Sequence, residues 1–222
     1  IYYSPVDGKN LNRVFPGRSD GTLSERIAHV ITGEIVGRAT HLVDLHGGDG
    51  NESLRPYAYW ITTGDPKVAA ESRNLALAFG LDHIVVDDER PKDAAASMYL
   101  SNTAITRGKP AITTETGCLA QTDERSITLL DQGVAGVLRH LGMRAVGPPA
   151  LTAPTWLKRN SVIRAGATGL FYATVERRDH VAAGARLGRI TDFHGQTIEE
   201  VLAPFAGEIM YVVDTPPITK GE

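Results

Sequence analysis

Cysteine is almost absent: Cys118 is the single one in 222 residues. No internal disulfide can form, nothing demands an oxidising compartment, and the cytoplasm is the default location. No run of about 18 apolar residues exists either, so no membrane-spanning helix is expected. Charge of one sign is missing as well. The 23 basic and 26 acidic residues leave a net charge of -3, which offers no footprint for nucleic acid or an anionic membrane and points to a small-molecule or neutral partner. The chain has no Cys-x-x-Cys pair, Walker A loop, Gly-x-Ser-x-Gly elbow or His-Glu-x-x-His sequence, and the reaction classes built on those motifs fall away. Ile1-Tyr2-Tyr3-Ser4-Pro5 has neither the charged start nor the apolar middle of a signal peptide. Because the first residue is not methionine, the natural N-terminus is expected to lie upstream.

What is present is enough for a real core. Hydrophobic residues make up 42% and charged residues 22%, well away from the composition of disordered chains. At roughly 150 residues per domain the length suggests one large domain and a small one. Turn dipeptides crowd residues 4–21, after which Thr22-x-x-Glu25 fits a capping box opening a helix toward Gly37, with Ile27, Val30, Ile31 and Ile35 at helical spacing. A strand at 41–45, a glycine-rich loop, a strand at 57–62 and a helix between Asp65-Pro66 and Gly80 follow. Next come a strand at 83–86, a helix at 94–106, a strand at 110–114 and a helix at 122–141. This alternation predicts an α/β fold, a mainly parallel sheet flanked by helices.

Composition changes at Gly147-Pro148-Pro149, which divides the chain into an α/β domain, 1–147, and a small all-β domain, 148–222. The second part reads as short β-rich runs, with a single helical window at 197–201. It carries a faint repeat: Gly169-Leu-Phe-Tyr and Val181-x-x-Gly184 are echoed by Gly207-Glu-Ile-Met and Ile218-x-x-Gly221, at offsets of 38 and 37 residues. The first copy continues into a strand at 186–190 and the second stops, so a last strand is expected beyond Glu222.

Three segments could carry chemistry. In Asp44-Leu45-His46-Gly47-Gly48 a strand ends in a histidine, which places the imidazole at the carboxyl edge of a parallel sheet, a good metal-ligand position. A lone histidine there can equally be satisfied by ordinary hydrogen bonds. In Asn10-Leu11-Asn12-Arg13-Val14-Phe15-Pro16-Gly17 an amide and a guanidinium stand together in a non-repetitive segment, planar donors suited to a carboxylate or a developing oxyanion; local pairing is the alternative. Glu115, in Thr113-Thr114-Glu115-Thr116-Gly117, should reach the same sheet edge as His46 if the strands are neighbours, and a carboxylate beside an activated water is a suitable general base. Cys118 follows closely, but no histidine is paired with it, and a small packed residue is the better reading. Tyr57, Tyr59, Tyr99 and Trp60 could line a pocket, although their spacing fits ordinary strand and helix positions.

In order and spacing, Asp7-Gly8-Lys9-Asn10-Leu11-Asn12-Arg13-Val14-Phe15-Pro16-Gly17, then Val43-Asp44-Leu45-His46-Gly47-Gly48, then Thr113-Thr114-Glu115-Thr116-Gly117 resemble the succinylglutamate desuccinylase and aspartoacylase family. The resemblance covers nearly the whole chain, including a second domain similar to the lipoyl-like barrels of many members. It implies a zinc-carboxypeptidase-like fold and zinc-dependent hydrolysis of the amide bond of an N-acylated amino acid. It makes His46 a zinc ligand, Asn12 and Arg13 the binders of substrate carboxylate or carbonyl, and Glu115 the general base. Two departures stand out. The family takes its other two zinc ligands from a His-x-x-Glu motif upstream, and none occurs in this chain; the segment bearing it is expected before Ile1. Tyr2 stands where relatives often have arginine.

The other readings are a catalytically inactive binding or structural relative without a complete metal site, and an acyl carrier built on the second domain. A carrier needs a modifiable lysine at the hairpin tip, and residues 191–202 contain none. The second domain is therefore read as a structural part or as the contact of a homo-oligomer. The partners implied are a small N-acylated substrate, with no nucleic acid and no membrane.

Overall fold

The computed structural model describes residues 2–222; Ile1, the first position of the predicted 1–147 domain, lies outside them. Thr22 N–H donates to Glu25 Oε2 at 2.7 Å, and Ser24 donates to Asp7 from both its N–H and its hydroxyl, each at 2.8 Å. These side chains satisfy donors that a helix start leaves orphaned, and α1 (Leu23–Val30) begins there. The expected helix does not continue as one α-helix to Gly37. Ile31–Val36 forms a π-helical turn, and the wider turn shifts the inward face. Ala28 and Val36 are buried, whereas Ile27, Val30 and Ile35 are exposed.

Chain order then gives β1 (Leu42–His46), β2 (Glu52–Leu54), β3 (Tyr57–Ile61), α2 (Pro66–Phe79), β4 (His83–Asp87), α3 (Leu100–Ile105), β5 (Ala111–Glu115), α4 (Glu124–His140) and β6 (Thr155–Leu157). The central sheet has the order β1-β5-β3-β4-β6. Three of its four pairs are parallel; β3 runs antiparallel to β5. The sheet is thus mixed and mainly parallel, as the alternation predicted. The reversal brings the amino end of β3 beside the carboxyl ends of β1 and β5.

Both faces of the sheet are covered. Successive residues of a strand point to opposite faces, and Ala111 and Ile112 of β5 accordingly enter separate clusters. Ile112 joins Ala58, Leu75, Phe79, Ile84 and Val137, while Ala111 joins Val36, Ile61, Val68 and Ile105. Ile61, Leu75, Ile84 and Ile112 are fully buried, each contributing about 1.5–3 kcal/mol of transfer free energy. Truncating Leu75 to alanine should cost about 2–5 kcal/mol. The helix pair on the first face packs closely because α4 carries glycines: a Cβ at Gly133 would stand 2.4 Å from the Phe79 ring, and one at Gly136 2.1 Å from the carbonyl oxygen of Ala78.

The helix expected over 94–106 is broken. Ala94–Ala96 is a short 3-10 turn, Met98 takes a left-handed φ of 68°, and α3 starts only at Leu100. The break has a partner: Met98 and Phe15 exchange backbone hydrogen bonds of 2.8 and 3.2 Å, so the chain exchanges a helical turn for a bridge to residues 11–17.

Two compact units are present, the first being residues 1–46, 56–116 and 123–158, the second 47–55, 117–122 and 159–222. After Arg159 the second unit contains β7 (Gly169–Ala173), β8 (His180–Val181), β9 (Arg186–Thr191), β10 (Thr197–Leu202), β11 (Gly207–Glu208), β12 (Tyr211–Val213) and β13 (Pro217–Ile218). The helical window at 197–201 is instead strand β10, whose β-branched Thr197, Ile198 and Val201 favour the extended ladder it forms with β9. The repeat acquires a structural meaning, because its halves pair crosswise: β7 with β13, and β11 with β8. A small cluster of Ala165, Ile190 and Ile218 fills this unit. Among the described residues, no helix is long and apolar enough to cross a membrane.

Candidate active site

Strand register assembles the site. In the parallel β1–β5 pair His46 stands opposite Glu115 and Asp44 opposite Thr113, and in the antiparallel β3–β5 pair Tyr57 stands opposite Glu115 and Tyr59 opposite Thr113. Residues at one register share a face of the sheet, so Asp44, His46, Tyr57, Tyr59, Thr113 and Glu115 all look the same way. The other face receives Ala58 and Ile112, which belong to the core. At this edge the alternation puts the polar residues in front and Ala58 and Ile112 behind, with the buried Thr114 beside Ala58.

Asp44 holds the imidazole. Its Oδ1 lies 3.0 Å from His46 Nε2, and its side chain is only 10% exposed against 32% for His46. A carboxylate only accepts, so Nε2 carries the hydrogen and donates it. Asn12 Nδ2 lies 3.5 Å from Asp44 Oδ2 and 3.2 Å from His46 Nε2; with Nε2 protonated, the amide donates to the carboxylate and merely touches the ring. The amide cannot turn over freely, because its Oδ1 accepts the N–H of Leu100 at 2.7 Å. That bond also caps the first turn of α3.

Charge around the ring is mixed. The hydrogen bond from His46 to Asp44 raises the histidine pKa above its ordinary value; burial opposes this, the negative charges of Asp44 and Glu115 add to it, and Arg13 lowers it. Arg13 is therefore close enough to act on the ring. Its guanidinium donates to the carbonyl oxygen of Asn12 at 2.8 Å and to the Tyr2 hydroxyl at 3.3 Å, and lies 4.8 Å from the centre of the Tyr99 ring. Burial raises the Tyr59 pKa, which keeps its hydroxyl neutral and available as a hydrogen-bond partner.

The structure thus brings His46, Glu115, Asn12 and Arg13 together at one rim. Tyr59 and Tyr99, two of the aromatic residues the sequence offered as pocket lining, stand beside them with an arginine that sequence reasoning missed. Arg90, after β4, lies over the rings of Tyr99 and Tyr59. Arg90 sits in a charged run with no motif, and nothing in the sequence distinguishes it.

The arrangement at His46 fits a metal ligand. A metal-bound imidazole characteristically donates its second nitrogen to a carboxylate, which fixes its tautomer and plane, and here Asp44 takes Nε2–H and leaves the lone pair to Nδ1. A zinc site needs about three protein ligands. Among the described residues, no group of three or more His, Cys, Asp or Glu is arranged to hold an ion, and His46 would contribute one ligand.

Known proteins share this arrangement of sequence and fold. The model of the succinylglutamate desuccinylase/aspartoacylase catalytic domain matches residues 2–141. The N-alpha-acetyl-L-2,4-diaminobutyric acid deacetylase of Halomonas elongata is 29% identical over 197 residues, covering 85% of this chain; the chain spans only 55% of that protein's length. The product-bound ectoine utilization protein EutE (DoeB) of Ruegeria pomeroyi superposes with a TM-score of 0.84 at 28% identity, over 99% of this chain and 67% of its own. A succinylglutamate desuccinylase/aspartoacylase from Rhodobacter sphaeroides gives 0.82 at 26% identity, with the same coverage. With a family model spanning both the Asn12-Arg13 segment and the β1–β5 rim, this chain belongs to the succinylglutamate desuccinylase/aspartoacylase family.

Proposed function

We propose that this chain is the catalytic part of a zinc-dependent amidohydrolase that cleaves an N-acyl amino acid to a carboxylate and a free amine. The observation that carries the reading is the register of His46 against Glu115, with Asn12 and Asp44 in contact beside them. A zinc ion held in part by His46 Nδ1 would acidify a water toward neutral pKa and withdraw charge from the amide carbonyl.

This chain's own residues do the rest. Asp44 keeps the imidazole in one tautomer and one plane. Glu115 accepts a proton from the attacking water and returns it to the departing nitrogen, so that the amine leaves neutral. Arg13 takes the substrate carboxylate with a planar pair of donors, which Lys cannot match. Asn12, locked by Leu100 N–H, offers its Nδ2 hydrogens to oxygen in a fixed direction, and orientation of this kind lowers the entropic part of the barrier. The net balance is amide plus water giving acid plus amine.

The Halomonas relative's name gives the acyl group and the amino acid to try first. Zinc-loaded full-length protein should release acetate and diaminobutyrate in equal amounts from N-acetyl-2,4-diaminobutyrate, in a screen that includes acetyl, succinyl and longer N-acyl amino acids. Release of no acyl group from any of them would contradict the reading. In the second unit, the expected homo-oligomer contact is tested by light scattering on the same preparation.

A further inference from the structure

Arg90 is held from two sides. Its Nε–H donates to Asp87 Oδ2, and both side chains are largely buried, at 14% and 15% exposure. Its guanidinium carbon lies 3.9 Å from the centre of the Tyr99 ring and 5.4 Å from that of Tyr59. Tyr99 carries a second guanidinium, that of Arg13, at 4.8 Å. Two cations over one ring repel unless one is neutralised, and Asp87 neutralises Arg90. The unbalanced positive charge beside the ring therefore belongs to Arg13, whose donors face neutral oxygens of Asn12 and Tyr2.

The backbone ties the same parts together. Residues 98–100 reach the Asn12-Arg13 segment through the Met98–Phe15 bridge, through Leu100 N–H on Asn12 Oδ1, and through the Tyr99 ring under Arg13. Met98 holds a left-handed φ that favours glycine, and such strain persists where surrounding contacts over-determine it. An exposed arginine loses rotamer freedom when it binds an anion, and a ring fixed in place reduces that loss in advance.

We propose that Arg90 is a positioning residue: paired to Asp87, it fixes the Tyr99 ring, and the ring aims the Arg13 guanidinium at the substrate carboxylate. This rests on the role given to Arg13 above. In the full-length zinc-loaded enzyme, Arg90→Met should raise KM for N-acetyl-2,4-diaminobutyrate about tenfold with kcat changed by less than about twofold, as the loss of one partly buried cation–π contact implies. Arg90→Lys should recover only part of the loss, because it keeps the charge without the plane or the Nε donor. Since Arg90 acts through Arg13, Arg90→Met made on Arg13→Ala should change KM by less than about twofold; an equal rise in both backgrounds overturns the proposal. Should Arg90→Met fold poorly, Tyr99→Leu removes the ring with the Arg90–Asp87 pair intact, and the same rise is expected. A readout independent of catalysis separates this proposal from the hydrolase reading. In protein labelled with 15N-arginine, Arg90→Met should shift the Arg13 Nε–Hε resonance, and an unmoved resonance overturns the proposal whether or not any substrate is cleaved.

Discussion

At the rim of β1 and β5, Asp44 is nearly buried while the ring it holds stays one-third exposed; in the second unit, Arg55 and Glu208 form an ion pair in which both side chains are largely buried, at 16% and 9% exposure. Both are charged contacts inside small clusters. They differ in exposure. At the rim the His46 ring is one-third exposed and Arg13 is exposed, whereas the Arg55–Glu208 pair, which joins the end of β2 to β11, is largely buried on both sides. His180, 3.8 Å from Glu208, is 80% exposed. Under the function we propose, the polar groups at the carboxyl ends of β1 and β5 serve chemistry, and the ion pair in the antiparallel ribbons serves cohesion.

That contrast can be broken by mutation. His46→Ala should produce the largest effect, a loss of zinc and at least about a thousandfold loss of turnover, since metal-assisted water activation is removed outright; metal analysis beside steady-state kinetics reads both. Asp44→Asn should weaken zinc binding about 10- to 100-fold while keeping the fold, as outer partners of metal-bound histidines do, and a competition titration with a chelator measures it. Arg13→Ala should mainly raise KM, and an unchanged KM removes it from the pocket. Arg55→Met should behave in the opposite way, costing about 3 kcal/mol in denaturant unfolding through the loss of one side of a largely buried ion pair, with kcat per folded molecule intact.

The smallest effect is in acid. Hydrogen bonding by Thr22 N–H, with help from Lys9, holds the Glu25 pKa down at about 2 from an ordinary 4.5, and Ser24 holds Asp7 below the usual range. Depressed acids stabilise the fold above their unfolded pKa and lose that contribution as pH falls through the folded value. Stability at α1 should therefore be flat above about pH 5 and fall between about 4.5 and 2. Glu25→Gln should flatten that slope, as followed by thermal melts.

Local signals explain what could be read from the sequence and what could not. Capping by Thr22 and Glu25, the Asp65-Pro66 start of α2 and the strand ends at His46 and Glu115 are encoded within a few residues each, and the elements follow them. The antiparallel setting of β3 has no local signal, because a five-residue apolar strand reads alike in both directions. The break at Met98 was hidden because its cause, the bridge to Phe15, lies more than eighty residues away in the chain. Arg90 was illegible for the same reason: its function, as we infer it, depends on rings supplied by Tyr59 and Tyr99, and only the fold brings them together. The placement of His46, Glu115, Asn12 and Arg13 at one rim was legible because strand ends and a turn-rich segment are local signals; their chemistry is the part we propose.

The most direct test of the account is Glu115→Gln in full-length protein, with zinc content and kcat for N-acetyl-2,4-diaminobutyrate measured on one preparation. The account predicts zinc content equal to that of the wild type and kcat lower by about 10²- to 10⁴-fold, the loss of a general base. Turnover near the wild-type rate with the glutamine in place would contradict it.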